Sequence, residues 1–329
     1  MAMDITGIKN ENEFYTHHYL TAILENDLKE IFSQWKTREL NEEFPQPHLK
    51  LQSLRKDYFL KKRLLDKEKK IEKRLNIQKE FTIQLLSALG FEYHCQFIEL
   101  DDSTGTPQNI HRGIPLSGAV NKQDGSPELW IIEVINSQPE DVDPLKLSFI
   151  PEQYPENDEI NKMPDVSPDI LSDIAMEEII TRHIFGRAEP PRWVILVSST
   201  QILLLDRTKW HEKRLLRFNI LEILNRKETS TLKAMAALLH KDSICPEHGM
   251  PLLDSLDENS HKHAFSVSQD LKFSLQEAIE LLGNEAVWYL REYTHDKVYK
   301  EDMAAKLTRE CLRYMYRMLF LFYIEARPE

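Results

Sequence analysis

Glycine and cysteine are both scarce in this sequence: glycine occupies 9 of the 329 positions and cysteine three. So few glycines, together with 29% charged residues, favour a helix-rich fold over a β-sandwich or a flexible linker protein. Cys95, Cys245 and Cys311 are far apart and odd in number, which argues against a disulfide-stabilised framework. They are typical of a reducing compartment, and we expect the protein to be cytoplasmic.

Several sequence motifs that indicate common types of nucleotide binding or hydrolysis are also missing. The sequence contains no P-loop, no G-x-S-x-G and no G-x-G-x-x-G, so we expect no ordinary ATP, hydrolase or dinucleotide chemistry. Its first residues lack the basic and apolar segments of a secretory signal. Residues 312–324 are apolar except for Arg313 and Arg317, and the stretch is shorter than the roughly 20 residues that cross a bilayer. We therefore expect no membrane contact, and either a buried helix or an interface at this stretch.

Negative charge prevails, with a formal net charge of −12, but it is unevenly distributed. Residues 50–79 are strongly basic, whereas residues 138–169 are acidic. Because affinity for DNA depends on local phosphate contacts, the basic stretch predicts DNA as a partner. Its candidate DNA-contacting residues are Lys61, Lys62, Arg63, Lys69, Lys70, Lys73 and Arg74. The alternative is a solvated helix face, because acids such as Asp66 and Glu80 lie among these cations and can pair with them.

Hydrophobic periodicity divides the chain into three regions. Residues 1–90 are predicted to be helical, including a long basic helix at 50–89 that ends before Gly90. Residues 91–217 are predicted to form an α/β core, with strands at 91–100, 114–120, 128–136, 192–199 and 201–208 and a helix at 169–185. Residues 218–329 are again helical. We therefore expect a mixed α/β sheet core wrapped by helices and followed by an all-helical connector.

This order of elements resembles that of the restriction-endonuclease-like nuclease fold. Such nucleases hold Mg²⁺ with an acid on one central strand and the glutamate of an E-x-K triplet on the next, and the lysine stabilises developing charge. Glu133 takes the position of the triplet's glutamate, but Ile135 stands where the lysine is expected. Glu99, Asp101 and Asp102 lie near the end of the preceding predicted strand and could supply the second acid only by a detour in topology. Glu133 is therefore either the catalytic residue of a Mg²⁺ nuclease with a displaced second acid, or a lone carboxyl in a degenerate site.

A second candidate site consists of Cys245, His248, His261 and His263. All four residue types bind Zn²⁺, and the C-x2-H spacing of the first pair is typical of zinc ligands. The second pair stands at the start of a predicted helix, with Ser260 as a candidate N-cap. The alternative to a metal site is therefore a chance grouping of loop and helix-start residues.

Five stretches carry a resemblance to a known family. They are "EFYTHHYL" (13–20), "RWVILVSSTQILLLDRTKW" (192–210), "DSLDENSHKHAFSVSQDLK" (254–272), "EAIELLGNEAV" (277–287) and "LRYMYRMLFLFYIEARPE" (312–329). Together they resemble the N-terminal region of large adenine-specific DNA methyltransferases of type IIG-like restriction–modification and phage-defence systems. The resemblance implies a nuclease-like domain, a helical connector and then an S-adenosylmethionine-binding methylase domain. The family's N-P-P-[YF] motif is absent here, so S-adenosylmethionine would bind in a parent protein and no residue of this chain is expected to bind a cofactor.

Three functional hypotheses follow from these observations. The chain is the DNA-contacting N-terminal region of a restriction or phage-defence adenine methyltransferase, with a degenerate nuclease site. Alternatively, it is a non-catalytic module that docks a methylase domain or another defence subunit through its C-terminal helices. The third hypothesis is an autonomous Mg²⁺-dependent DNA nuclease.

Overall fold

The structure is a computed structural model that describes residues 4–41, 44–100, 112–136, 142–153, 171, 173–293 and 302–325. The chain divides into two compact units, Met1–Ser260 and His261–Glu329, which are described separately. The domain boundaries predicted after residues 90 and 217 both fall inside the first unit. The reason is that the chain's first strand and the strand at residue 217 pair within one sheet.

A mixed sheet forms the centre of the first unit. Its strands, in chain order, are β1 (Ile8–Glu11), β4 (Gly118–Asn121), β5 (Pro127–Glu133), β6 (Trp193–Val197), β7 (Gln201–Asp206) and β8 (Leu215–Asn219). Among the described residues, they are arranged in the order β1-β8-β7-β6-β5-β4. Of the pairs that these described strands form, only β5–β6 is parallel. A separate antiparallel ribbon joins β2 (Gln96–Leu100) to β3 (Arg112–Leu116).

The central strands are buried on both faces of the sheet, as their nearly continuous apolar sequences predict. Because neighbouring side chains in a strand point to opposite faces, alternate residues enter two hydrophobic clusters. Ile131 and Ile195 pack into the larger cluster, with the N-terminal helices. Ile132 and Leu196 pack into the smaller one, with the helix after Met176. The sheet is therefore covered on both sides, and the predicted mixed α/β class with a C-terminal helical region is confirmed at that level.

The helices of the described chain lie between the strands and after the last of them. They are α1 (Leu24–Asp27), α2 (Lys29–Leu40), α3 (Pro47–Ser53), α4 (Arg55–Lys67), α5 (Ile71–Ala88), α6 (Met176–Glu178), α7 (Ile220–Arg226), α8 (Thr229–Leu239), α9 (Lys241–Ile244), α10 (Leu252–Glu292) and α11 (Met303–Glu325). Wide π-helical turns at Tyr19–Ile23 and Ile179–Ile184 adjoin α1 and α6.

The basic stretch predicted as one helix at 50–89 is divided into α3, α4 and α5. Between α4 and α5, Glu68 and Lys70 have extended backbone angles, and Glu68 Oε1 accepts hydrogen bonds from the N–H groups of Lys69 and Lys70 at 3.0 Å each. The Arg74 guanidinium donates to the carbonyls of Leu65 and Glu68, which α4 leaves without helical partners. These polar contacts give partners to two N–H groups before α5 and to two carbonyls near the end of α4, and they stabilise the turn between the helices.

Two strands of the sheet, β1 and β8, were not predicted. The β1 sequence "IKNE" has a single apolar residue, and its conformation depends on pairing with β8 from Ile8–Phe218 to Glu11–Leu215. The predicted strand at 114–120 is interrupted at Ser117, whose N–H donates to the Ile131 carbonyl at 2.8 Å. That bond turns the chain from β3 into β4.

The second unit contains α10 from His261 onward and α11. Its helices expose many large apolar side chains, and Cys311 is the one residue of α11 that is buried. Tyr316 is 75% exposed, Phe320 58% and Phe322 57%. Within the described part of the second unit, the apolar surface of α11 is therefore uncovered, as expected if this stretch is an interface. Among the described residues, no helix is sufficiently long and apolar to cross a membrane.

Candidate functional site

The candidate site of the first unit centres on Glu133, at the carboxyl end of β5. Its side chain is only 7% exposed. Glu133 Oε1 accepts a hydrogen bond from Thr82 Oγ1 at 2.7 Å and another from Gln78 Nε2 at 3.0 Å. The Glu133 carbonyl accepts a third from Gln153 Nε2 at 2.8 Å. The carboxyl and the backbone of this residue are thus both held in place.

One face of α5 supplies the contacts that hold this end of β5. Arg74, Gln78 and Thr82 follow one another at intervals of four residues, so they lie on the same side of the helix. Gln78 Nε2 also donates to the Val134 carbonyl at 2.9 Å, and Arg74 Nη2 donates to the Asn136 carbonyl at 2.9 Å. All three side chains are buried. The helix therefore binds the strand end through a row of polar contacts inside an apolar interface.

Burial raises the pKa of Glu133 above its ordinary value of 4.5, because the charged carboxylate is removed from water. The hydrogen bonds from Thr82 and Gln78 oppose that shift, and the positive charge of Lys79 opposes it further. Lys79 lies beside Tyr93, with its Nζ atom 5.5 Å from the ring centroid. A hydrogen bond from the Ser117 side chain also lowers the pKa of Glu133, so the site combines one enclosed carboxyl, three neutral donors and a nearby ammonium group.

In the described part of the chain, no group of three His, Cys, Asp or Glu side chains is arranged to hold a metal ion. Glu99 lies in β2, opposite Gly113, whereas Asp101 and Asp102 lie outside the described residues. Ile135, at the position of the expected lysine, is 3% exposed and belongs to the apolar interior.

The four candidate zinc ligands are distributed over both units. Cys245 and His248 belong to the first, and His261 and His263 to the second. Burial raises the pKa of the Cys245 thiol to about 12, which disfavours the thiolate that binds metals. Among the described residues, no group of three such side chains could hold a metal ion, and the zinc site stays a prediction.

The seven candidate DNA-contacting residues have different environments. Arg63, Lys69, Lys70 and Lys73 are exposed. Lys62 pairs with Asp66 at 2.6 Å, and the buried Lys61 pairs with Asp57 at 2.8 Å and Glu80 at 3.5 Å. The structure places Arg74 in the interior, where its donors are committed to backbone carbonyls instead of being available to phosphate.

Sequence reasoning missed the residues that position Glu133, namely Gln78 and Thr82. The available signal was the recurrence of polar residues every four positions on the apolar side of α5. It also missed Lys209, whose Nζ atom donates to the Phe14 carbonyl at 2.9 Å and pairs with Asp257. That lysine brings together three of the stretches on which the family resemblance depends, at residues 13–20, 192–210 and 254–272.

A further junction supports the same packing. Arg192 pairs with Asp254, and the Thr16 N–H donates to Ser260 Oγ at 3.1 Å. These three stretches therefore hold the first turns of α10 against the sheet of the first unit, which gives them a structural role.

Comparisons of the chain with protein-family models, curated proteins and solved structures find no match.

Proposed function

We propose that this chain is the DNA-contacting, nuclease-like region of a restriction–modification or phage-defence adenine-specific DNA methyltransferase, with a degenerate nuclease site. The order of β4, β5, β6 and β7 across the sheet supports the nuclease-like assignment, because it places Glu133 at the end of a central strand that is parallel to its neighbour. The methylase chemistry and its S-adenosylmethionine would belong to another domain or subunit.

The observation that carries the proposal is the double role of α5 and the turn before it. The buried face of the helix holds Glu133 through Gln78 and Thr82. The exposed cations Lys69, Lys70 and Lys73 lie at the start of the same helix. Phosphate contacts by these residues would bring a DNA backbone to the helix that supports the strand end.

Duplex DNA binding, measured by gel shift at 50 and 200 mM NaCl, tests this proposal. We expect binding that weakens strongly with salt and that is lost when Arg63, Lys69, Lys70 and Lys73 are all changed to glutamate. The control carries Lys36→Glu and Lys146→Glu, two exposed residues outside the basic helices, and should retain most of the binding. Binding that is equally weakened in the control would argue against a contact by the basic helices.

Plasmid cleavage in Mg²⁺ or Mn²⁺ distinguishes the degenerate site from an autonomous nuclease. We expect neither the wild-type protein nor Glu133→Ala to cleave, because Ile135 stands at the position of the lysine and no described group of three His, Cys, Asp or Glu side chains could hold the metal ion. Cleavage by the wild type that disappears in the variant would establish the nuclease and overturn this part of the proposal.

The uncovered surface of α11 favours a second candidate function, a module that docks a methylase domain or another defence subunit. Exposed apolar patches of this extent are typical of interaction surfaces. The double variant Phe320→Glu, Phe322→Glu should abolish co-purification with such a methylase subunit while leaving DNA binding intact. Unchanged co-purification would remove α11 from that interface.

A further inference from the structure

A cavity of about 430 Å³ lies in the first unit, away from Glu133. It opens where α2, the start of α3, the end of α5 and the junction of α8 with α9 meet. Its volume lies within the range of small-ligand pockets, which is roughly 300–1,000 Å³. The DNA-contacting proposal does not use this cavity, and the residues around it supply both aromatic and cationic groups.

The aromatic groups lie on two sides of the cavity. Trp35 forms a buried wall, and its ring lies 5.4 Å from the His240 ring. Phe44 is 67% exposed at the rim, with Lys50 Nζ 5.5 Å from its ring centroid. A planar ligand can stack on such an exposed ring, and a negatively charged group of the same ligand can pair with the neighbouring ammonium group.

Positive charge converges on the same cavity although the whole chain carries a net charge of −12. Arg38, Lys50 and Lys241 line it, against the two acids Asp242 and Glu247. Asp242 is already paired with Arg38 at 2.9 Å. The lining therefore has one more cation than acids, and its two lysines come from different elements.

His240 adds an uncharged donor. Its Nδ1 atom accepts a hydrogen bond from the Asp242 N–H at 3.2 Å, which assigns the ring proton to Nε2. Burial, as the largest cause, lowers the pKa of His240 to about 4, so the ring is neutral near pH 7. Gly90 preserves the space beside Nε2, because a Cβ atom there would lie 3.0 Å from it.

We propose that this cavity binds a nucleoside monophosphate, either free or as the terminal nucleotide of a single strand. The phosphate would be held by Lys50 and Lys241, with the Nε2–H of His240 as a further donor, and the base would stack on Phe44. Aromatic stacking accepts any base, whereas the two lysines require an anion, so the phosphate and the base are both needed.

Isothermal titration calorimetry of the full chain with AMP and CMP tests the proposal. We expect one site for each nucleotide, and weaker binding of adenosine and of ribose 5-phosphate, which lack the phosphate and the base respectively. Lys50→Glu and Lys241→Glu should each weaken AMP binding by about tenfold or more, because each replaces an attraction by a repulsion. Lys146→Glu, an equal charge change among residues that pack on the other face of the sheet, should alter it less than about twofold.

Single-stranded decamers with a 5′-phosphate or a 5′-hydroxyl distinguish the two sources of the ligand. A preference for the 5′-phosphate assigns the cavity to strand ends, and AMP binding without that preference assigns it to free nucleotides. The proposal is overturned if AMP, CMP and the phosphorylated decamer all fail to bind, or if ribose 5-phosphate binds as tightly as AMP. Equal weakening by Lys146→Glu and the cavity variants would also overturn it. Circular dichroism confirms that each variant is folded, and either lysine variant alone is sufficient for the comparison.

Discussion

Arg74 and Lys73 are neighbours in sequence, but the structure gives them opposite roles. Arg74 is 5% exposed, and its guanidinium donates to the carbonyls of Leu65, Glu68 and Asn136. Lys73 is exposed on the same helix. Replacing Arg74 by alanine therefore removes the contacts that join α4 to α5 and α5 to the end of β5, whereas replacing Lys73 removes only a surface charge.

The loss in the free energy of unfolding that Arg74→Ala causes can be estimated from the hydrogen bonds to these three carbonyl groups. A hydrogen bond from a charged donor contributes about 1.5–3 kcal/mol, and water recovers part of that loss at the truncated site. We therefore expect Arg74→Ala to lower the free energy of unfolding by about 3 kcal/mol. For a unit of this size, that corresponds to a fall in the melting temperature of roughly 6–12 °C. Lys73→Ala should change the free energy of unfolding by less than about 0.5 kcal/mol.

Urea and thermal denaturation followed by circular dichroism measure both variants, and DNA binding provides the second comparison. Lys73→Ala should weaken salt-sensitive DNA binding, and Arg74→Ala should not do so at temperatures where it is folded. If Arg74→Ala is as stable as the wild type but binds DNA more weakly, the side chain lies at the surface and the reasoning is refuted.

Other predictions concern the carboxyl, a turn and the apolar helix. Burial raises the pKa of Glu133 in the folded protein above its ordinary value of 4.5. Below pH 4.5 the carboxyl is protonated in both the folded and the unfolded chain, and its hydrogen-bonded burial costs no charge. As pH rises through the folded pKa, the unfolded chain has already lost this proton, so the contribution of Glu133 to the free energy of unfolding falls. Glu133→Gln should therefore gain stability relative to the wild type as pH rises, and urea titrations from pH 4 to 8 would contradict this if the difference were constant. Gly7 has a φ of +93°, and a Cβ atom there would lie 2.7 Å from Ile223 Cγ1. Gly7→Ala should therefore lower the free energy of unfolding by about 1–2 kcal/mol, and with it the melting temperature by several degrees. An unchanged melting temperature would show that the turn relaxes. Phe320→Ser with Phe322→Ser should leave the unfolding midpoint unchanged and reduce binding of the dye ANS, and a lower midpoint would mean that the two rings are core residues.

The sequence allowed the central strands to be predicted because their apolar runs are long and are bounded by turns. In β5 and β6, burial on both faces requires apolar residues at every position, so the pattern is local. β1 could not be predicted, since its four residues are mostly polar and adopt a strand only through pairing with β8, about 200 residues later. Likewise, the break between α4 and α5 depends on where the Arg74 side chain reaches.

The candidate site could be predicted only in part. The position of Glu133 at the end of an apolar strand was legible in the sequence, but its partners Gln78 and Thr82 stand more than 50 residues earlier, and only the tertiary structure brings them to it. The basic residues could be identified in the sequence, but which of them are exposed could not be predicted from it. Lys61 and Arg74 differ from Lys70 and Lys73 through their neighbours in space, which no local pattern records.

In the proposed function, the exposed cations in α4 and around the start of α5 contact DNA phosphates. Fluorescence anisotropy of a labelled 20-bp duplex, titrated at several NaCl concentrations, tests this contact most directly. If Arg63, Lys69, Lys70 and Lys73 each neutralise one phosphate, log K should fall with log[salt] with a slope of about −3 to −4. Lys70→Glu with Lys73→Glu should then make the slope shallower by about 2. No binding at 50 mM NaCl, or a slope that is the same in wild type and variant, would contradict the account.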